Sequence, residues 1–228
     1  MWGGYKHVLE VGPGTGILSG YLIENTSFSW TGIELDRDSV ALLKMRYPEL
    51  SDRIIEADFL SYDLGSGFNG ARFAVIGNFP YNISSQILFR ILEYRSQVPE
   101  VVGMFQREVA MRISSPPGSK VYGILSVLTQ AFYEVRLLFN VEPHVFHPPP
   151  RVRSSVIRLR AKEDMSMGCD ESLFFRVVKT AFNKRRKTLR NSLDGMGIAW
   201  GSLPGKLYGE RPERLGVDDF VAIAASIG

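Results

Sequence analysis

The 228-residue chain is 45% hydrophobic, with 27 Lys/Arg against 24 Asp/Glu and a single cysteine. It is long enough for one large domain plus a small one, with an ordinary globular core. The lone Cys169 excludes an internal disulfide and fits a reducing, cytoplasmic setting, and the sequence contains neither a membrane-spanning run nor a signal peptide.

Residues 8–11 (Val-Leu-Glu-Val) read as a short buried strand. They run into Gly12, Pro13, Gly14, Thr15 and Gly16, and an amphipathic helix is predicted over 17–24. Strand, Gly-rich turn and helix form the nucleotide-binding opening of a doubly wound α/β fold. The G-x-G-x-G spacing departs from the dinucleotide pattern G-x-G-x-x-G, and Glu10 argues against a pyrophosphate there. The second strand, 29–33, ends at Glu34, whose carboxylate can accept hydrogen bonds from both ribose hydroxyls of a nucleoside cofactor. Asp36 fits a loop, and Asp38 the start of a helix over 39–47. The third strand, 53–56, leads into Ala57, Asp58 and Phe59. Asp58 can accept from an adenine amine, while Phe59 or Leu60 can cover the ring. Any one of these acids could be a surface charge. Three at successive strand ends, in step with a Gly-rich turn, mark a site.

The fourth strand, 73–76, runs through Gly77 into Asn78, Phe79, Pro80 and Tyr81, and a helix is predicted over 84–94. An N-x-P-Y step at a strand end suits chemistry on the amino group of a flat base. The Asn78 side-chain oxygen and the Phe79 backbone carbonyl can both accept from an exocyclic amine. Pro80 keeps Phe79 extended, and Tyr81 offers a ring for stacking. A tight strand-to-helix turn alone would also favour Asn and Pro.

Charge is split unevenly. Residues 1–100 carry 8 Lys/Arg and 12 Asp/Glu, and the rest carry 19 and 12, an acidic front and a basic back. Arg151, Arg153, Arg158 and Arg160 alternate and are predicted to share one face of the last strand. Residues 179–190 hold six basic residues and no acid, including Lys184, Arg185, Arg186, Lys187 and Arg190. These stretches read as a phosphate-tracking surface that positions RNA without reading its sequence. His144 and His147 lack a supporting Cys or acid cluster, so no metal site is expected. The predicted organisation is a doubly wound α/β domain over 1–162, a linker over 163–172 and a small helical RNA-binding domain over 173–228, with helices over 171–182, 188–196 and 217–227. Asp218 falls in the cap region of the last.

Taken together, E-x-G-x-G-x-G, the second-strand acid, Ala57-Asp58-Phe59 and Asn78-Phe79-Pro80-Tyr81 resemble the class I S-adenosylmethionine-dependent methyltransferases, a Rossmann-like α/β fold. Asn82-Ile83-Ser84-Ser85-Gln86 narrows the resemblance to the ribosomal RNA adenine dimethyltransferases of the small-subunit, kasugamycin-sensitivity type. The match continues through Gly103–Ala110 (GMFQREVA), 122–127 (YGILSV), 145–156 (VFHPPPRVRSSV) and 182–193, and so covers nearly the whole chain. The resemblance implies S-adenosylmethionine as cofactor and N6,N6-dimethyladenosine in small-subunit ribosomal RNA as product, made during ribosome biogenesis. It implies that Glu10, Gly12 and Gly14 line the methionine part of the cofactor. Glu34, with Leu35 beside it, meets the ribose, and Asp58 and Phe59 meet the adenine. Asn78, Phe79, Pro80 and Tyr81 receive the target base, and Asn78 also meets the cofactor. Phe146 either closes its other face or packs under a rigid loop. Arg151, Arg153 and the 184–190 cluster hold RNA. A monomer acting on a pre-assembled small subunit, without metal or membrane, is expected.

Family members carry a segment with G-Q-H-F-L ahead of the first strand, and Trp2-Gly3-Gly4-Tyr5 does not match it. A chain lacking that segment is expected to bind cofactor less well. Two other readings are a large-subunit enzyme of the macrolide-resistance type and a non-catalytic ribosome-assembly factor. A nicotinamide dehydrogenase is disfavoured by the glycine spacing and by the lack of a hydride-transfer His or Lys at a strand end.

Overall fold

The computed structural model describes residues 4–227. Trp2 and Gly3 of the unmatched head therefore lie outside the described residues. Elements follow in chain order as β1 (His7–Val11), α1 (Ile17–Ile23), β2 (Ser29–Glu34), α2 (Arg37–Arg46), β3 (Ile54–Glu56), α3 (Leu64–Gly67), β4 (Phe73–Asn78), α4 (Ser84–Glu93), β5 (Glu100–Gln106), α5 (Arg107–Ser114), α6 (Ile124–Phe132), β6 (Tyr133–Val141), β7 (Ser154–Ala161), α7 (Glu171–Asn183), α8 (Leu189–Ser192) and α9 (Val217–Ala225). Among the described residues they form one seven-stranded sheet, ordered β3-β2-β1-β4-β5-β7-β6. The pairs β1·β2, β1·β4, β2·β3 and β4·β5 are parallel, and β7 runs antiparallel to β5. The strand order reverses between β1 and β4, the place where an open α/β sheet leaves a crevice at its carboxyl edge.

The sequence explains these strands. β1, β4 and β5 are near-continuous apolar runs, as fits strands covered on both faces. Leu9, Val75 and Val101 are fully or almost fully buried. On α4, Ile87, Leu88, Ile91 and Leu92 recur at helical spacing and bury one face. Trp30, Val40, Leu43 and Ile54 form a further buried cluster, with Leu22, Ile23, Tyr47 and Leu50 packed on it.

The helix predicted after Asp38 begins earlier. Asp36 is its N-cap, the side chain accepting from the Ser39 N–H at 2.9 Å, and Asp38 lies in the first turn. The Ser39 hydroxyl, donating to the same carboxylate at 2.7 Å, and then that N–H hold the Asp36 carboxyl below the usual range. At the start of β5 the buried Glu100 accepts from Tyr5 Oη at 2.9 Å and pairs with Arg158. Burial and that carboxylate push the Tyr5 phenol up to about 12. Arg151 and Arg153 precede β7 rather than lying on it, so the expected four-arginine face does not form. Three prolines, 148–150, delay the strand until Ser154.

The chain divides into two compact units. One comprises the residues up to Ala110 with Arg136–Ala161; the other comprises Met111–Val135 with the residues from Lys162 onward. Residues 111–135, assigned above to the methyltransferase-like domain, thus pack with the C-terminal helices. In this second unit Phe174, Val177, Val178 and Ala181 of α7 are buried, as are Phe220, Ile223 and Ala224 of α9. The Tyr122 and Phe182 rings meet edge to face at 6.1 Å, and Asp170 caps α7 through the Leu173 N–H. The helix expected over 188–196 is one turn, Leu189–Ser192. α9 is capped at Gly216, whose N–H donates to Asp219 Oδ2 at 2.9 Å, rather than at Asp218.

Candidate active site

Three hollows open along the carboxyl ends of β1, β2, β3 and β4 in the first unit. One, of 510 Å³, is lined by Gly12, Glu34, Leu35, Asp58, Phe59, Pro80 and Ile83, among others. A second, of 660 Å³, runs past Glu10, Gly12, Gly14, Asn78, Met104 and Phe146. The third, of 290 Å³, is formed by Asn78, Phe79, Pro80, Tyr81, Phe146, His147, Pro148 and Pro150. Gly12 is common to the first two, Asn78 and Phe146 to the second and third, and Pro80 to the first and third. The residues expected to bind a nucleoside cofactor and those expected to receive a base therefore meet through shared walls.

The Gly-rich turn has the backbone it needs. Gly12 and Gly14 have φ of 69° and 55°, and a Cβ on either would meet nothing within 4 Å. Their glycines thus serve conformation and leave bare backbone facing open space, a cradle that any side chain would begin to fill. Glu34 holds this turn: its Oε2 accepts from the Gly14 N–H at 2.9 Å, and its Oε1 accepts from the N–H groups of Leu35 and Asp36 at 2.8 and 3.0 Å. Asp58 Oδ1 accepts from the Leu60 N–H at 2.9 Å and is exposed, while the Phe59 ring is buried. Glu10 is 1% exposed, and its Oε2 accepts from Trp30 Nε1 at 2.8 Å. Burial raises its pKa above the ordinary glutamate value. The Trp30 N–H and the nearby Ser19, whose buried hydroxyl makes no hydrogen bond to any described residue, oppose that rise, and the Glu34 charge adds to it. A bare-backbone turn, a carboxylate at the second strand end and a buried carboxylate beside the turn fit a nucleoside cofactor with an amino-acid tail.

The step expected to receive the base is built differently. The Phe79 ring is fully buried and lies edge to face with Phe105 at 5.1 Å. It occupies a socket left by two glycines on adjacent strands. A Cβ on Gly103 would come within 2.4 Å of the Phe79 ring, and one on Gly77 within 2.5 Å of the Val11 carbonyl and 2.8 Å of that ring. Phe79 is therefore an anchor for the backbone, with its N–H donating to the Met104 carbonyl at 3.3 Å. The Tyr81 hydroxyl hydrogen-bonds the buried Ser154 Oγ at 2.5 Å. The exposed Asn78 amide is held by no described residue.

Of the expected RNA-contacting residues, Arg151, Lys184, Arg186, Lys187 and Arg190 are exposed. Arg153 pairs with Glu142 at 3.1 Å. Arg185 is committed within its unit: it donates to the Lys120 carbonyl at 2.8 Å and lies 3.7 Å from Glu213. The sequence reading missed Trp30, which lies inside the second strand, and Phe139, Val141 and Val145, which line the second hollow. It also missed Ser154, whose pairing with Tyr81 spans 73 positions. Among the described residues no cluster of His, Cys, Asp or Glu is placed to hold a metal, and no helix is long and apolar enough to cross a membrane.

The family model for ribosomal RNA adenine dimethylase matches residues 5–199. The chain belongs to that family. Its relatives include a protein named ribosomal RNA small subunit methyltransferase A from Flavobacterium johnsoniae, 51% identical over 98% of this chain and 85% of the relative. One of the same name from Porphyromonas gingivalis is 51% identical over 95% of this chain and 84% of its own length. Among solved structures, a dimethyladenosine transferase from Plasmodium falciparum superposes with a TM-score of 0.78 at 23% identity, covering 95% of this chain and 88% of that one. The 23S rRNA methyltransferase ErmE gives 0.67 at 23% identity, covering 95% and 91%. Both share their Rossmann-like fold with this chain.

Proposed function

We propose that the chain transfers methyl groups from S-adenosylmethionine to the exocyclic amine of adenine in small-subunit ribosomal RNA, giving N6,N6-dimethyladenosine, and that the three hollows divide the work. Glu34 and Leu35 hold the ribose, Asp58 and Phe59 the adenine, and Glu10, Gly12 and Gly14 the methionine portion. S-adenosylmethionine supplies a methyl group on a sulfonium centre. The protein's own residues supply position. The observation that carries the reading is the exposed Asn78 amide, common to the second and third hollows and held by no described residue.

An adenine amine is a poor nucleophile because its lone pair conjugates with the ring. The Asn78 oxygen and the Phe79 carbonyl accept its two N–H groups and favour a more tetrahedral nitrogen. Holding that nitrogen in place supplies the proximity contribution. Tyr81 stacks on the base, Phe146 covers it and the Pro80 ring stiffens the step. Each transfer breaks the methyl–sulfur bond, releases the neutral thioether S-adenosylhomocysteine and sheds one amine proton to water, so after the first transfer one N–H remains and one acceptor must give way to a methyl group. The target must be unstacked to enter, which favours a loop in the RNA.

Arg151, Arg153, Lys184, Arg186, Lys187 and Arg190 track phosphates. Arg185 contributes by holding its loop. The enzyme acts as a cytoplasmic monomer on an assembled small-subunit particle. A large-subunit target is disfavoured by relatives about 50% identical that carry the small-subunit name.

The test is incubation with methyl-labelled S-adenosylmethionine and, separately, unmethylated small-subunit particles and large-subunit RNA, followed by nucleoside mass spectrometry. Dimethyladenosine from the small-subunit particle alone is expected. Product from large-subunit RNA alone would overturn the target. Salt-sensitive binding to the particle without product would support an assembly factor.

A further inference from the structure

Trp30 lies on β2 beside β1, in a region the reaction does not otherwise use. Its ring is 2% exposed and belongs to the cluster with Val40, Leu43 and Ile54. A tryptophan there needs only apolar packing, yet its one polar atom is aimed at the site: Nε1 donates to Glu10 Oε2 at 2.8 Å. The register accounts for this. Val8 is opposite Trp30 and Glu10 opposite Gly32, so Trp30 and Glu10 lie diagonally across the paired strands, two residues out of register and on the same face. Gly32 makes the arrangement possible. A Cβ there would come within 2.8 Å of the Trp30 ring and 2.9 Å of the Pro13 ring. The missing side chain thus leaves room for the indole and for the proline of the Gly-rich turn.

We propose that Trp30 is a positioning residue of the cofactor site, its indole N–H holding the Glu10 carboxylate ionised and aimed at the positively charged amino-acid end of the cofactor. This rests on the reading that Glu10 meets that end. A buried carboxylate without a donor protonates readily, and a neutral acid is a weak partner for an ammonium group. Few groups act on Glu10: Ser19 from α1, Trp30 from β2, and the charged Glu34 at the tip of β2, which opposes its ionisation. Trp30 is therefore a counterweight to burial and to Glu34.

The test uses W30F, which keeps a ring and loses the N–H, with E10Q and the double variant. Calorimetry measures the S-adenosylmethionine dissociation constant from acid to alkaline pH. The carboxyl ¹³C shift of Glu10 is titrated in ligand-free protein, and thermal melts confirm folding. W30F should bind cofactor about tenfold more weakly at neutral pH, the size expected for one hydrogen bond to a charged group. Its acid-side loss of binding and its Glu10 titration should both move to higher pH. The double variant should bind no worse than E10Q. An unmoved Glu10 titration, with W30F and E10Q effects that add at every pH, would reduce Trp30 to packing and overturn the proposal. If E10Q instead binds cofactor like the wild type, the reading of Glu10 fails, whatever W30F does to the titration.

Discussion

The two halves of the proposed site hold their parts by different means. The proposed cofactor half is held by hydrogen bonds: Glu34 ties down three backbone N–H groups, and Trp30 ties down Glu10. The proposed base-receiving half is held by shape: Phe79 fills a socket between Gly77 and Gly103, and a single hydroxyl pair fixes Tyr81. A polar cradle suits a ligand with many fixed donors and acceptors. A steric anchor suits a substrate that loses an N–H at each transfer, because the backbone carbonyl stays in place while its partner changes. The comparison predicts that the first half yields to removal of charge and the second to addition of volume.

The largest effect on stability should come from volume. Gly103→Ala places a methyl against Phe79 and Phe105 in a packed core, at a cost of about 1–3 kcal/mol. Thermal melts should show the loss, and turnover should fall further than cofactor affinity. A melt and turnover equal to wild type would remove the socket from the account. Next, Glu34→Ala leaves three N–H groups without their acceptor. Cofactor affinity measured by calorimetry should fall at least tenfold, since hydrogen bonds to charged groups contribute about 1.5–3 kcal/mol. Gly103→Ala should leave that affinity nearly unchanged, and the contrast sharpens the division between halves. Tyr81→Phe keeps the stacking ring and loses the tether to Ser154. A fewfold drop in kcat is expected, with stability lower by about 1 kcal/mol; a drop as large as that of Gly103→Ala would give the hydroxyl a direct role.

The smallest effect is on stability against pH. The folded protein raises the Glu10 pKa, so the unfolded chain loses this proton more readily. Stability therefore falls as pH rises from the ordinary glutamate value through the raised one. E10Q should melt higher than wild type at neutral pH, with the advantage vanishing below the ordinary glutamate range. An advantage that persists in acid would mean that burial is not its cause.

Much of this site was legible in the sequence because it is local. The Gly-rich turn, the acids at strand ends and the N-x-P-Y step each occupy a few consecutive residues, and apolar runs mark the strands that carry them. What was not legible depends on pairing across the sheet. Gly77 and Gly103 become one socket only because β4 and β5 are neighbours in register, and Trp30 looks like core until its N–H is seen to face Glu10. Alternating arginines suggested a shared strand face, but alternation does not show where a strand begins after three prolines. Likewise, nothing local marks residues 111–135 as belonging to one compact unit with the C-terminal helices.

The most direct measurement is the nucleoside mass profile of small-subunit particles after incubation with Asn78→Ala, with cofactor affinity checked by calorimetry on the same sample. Removing a positioned polar group at a reacting centre is expected to lower the rate at least about 100-fold. The account predicts neither mono- nor dimethyladenosine on the wild-type timescale, with the cofactor still bound. Dimethyladenosine formed at the wild-type rate would contradict it, because the amine would then be held by something other than Asn78.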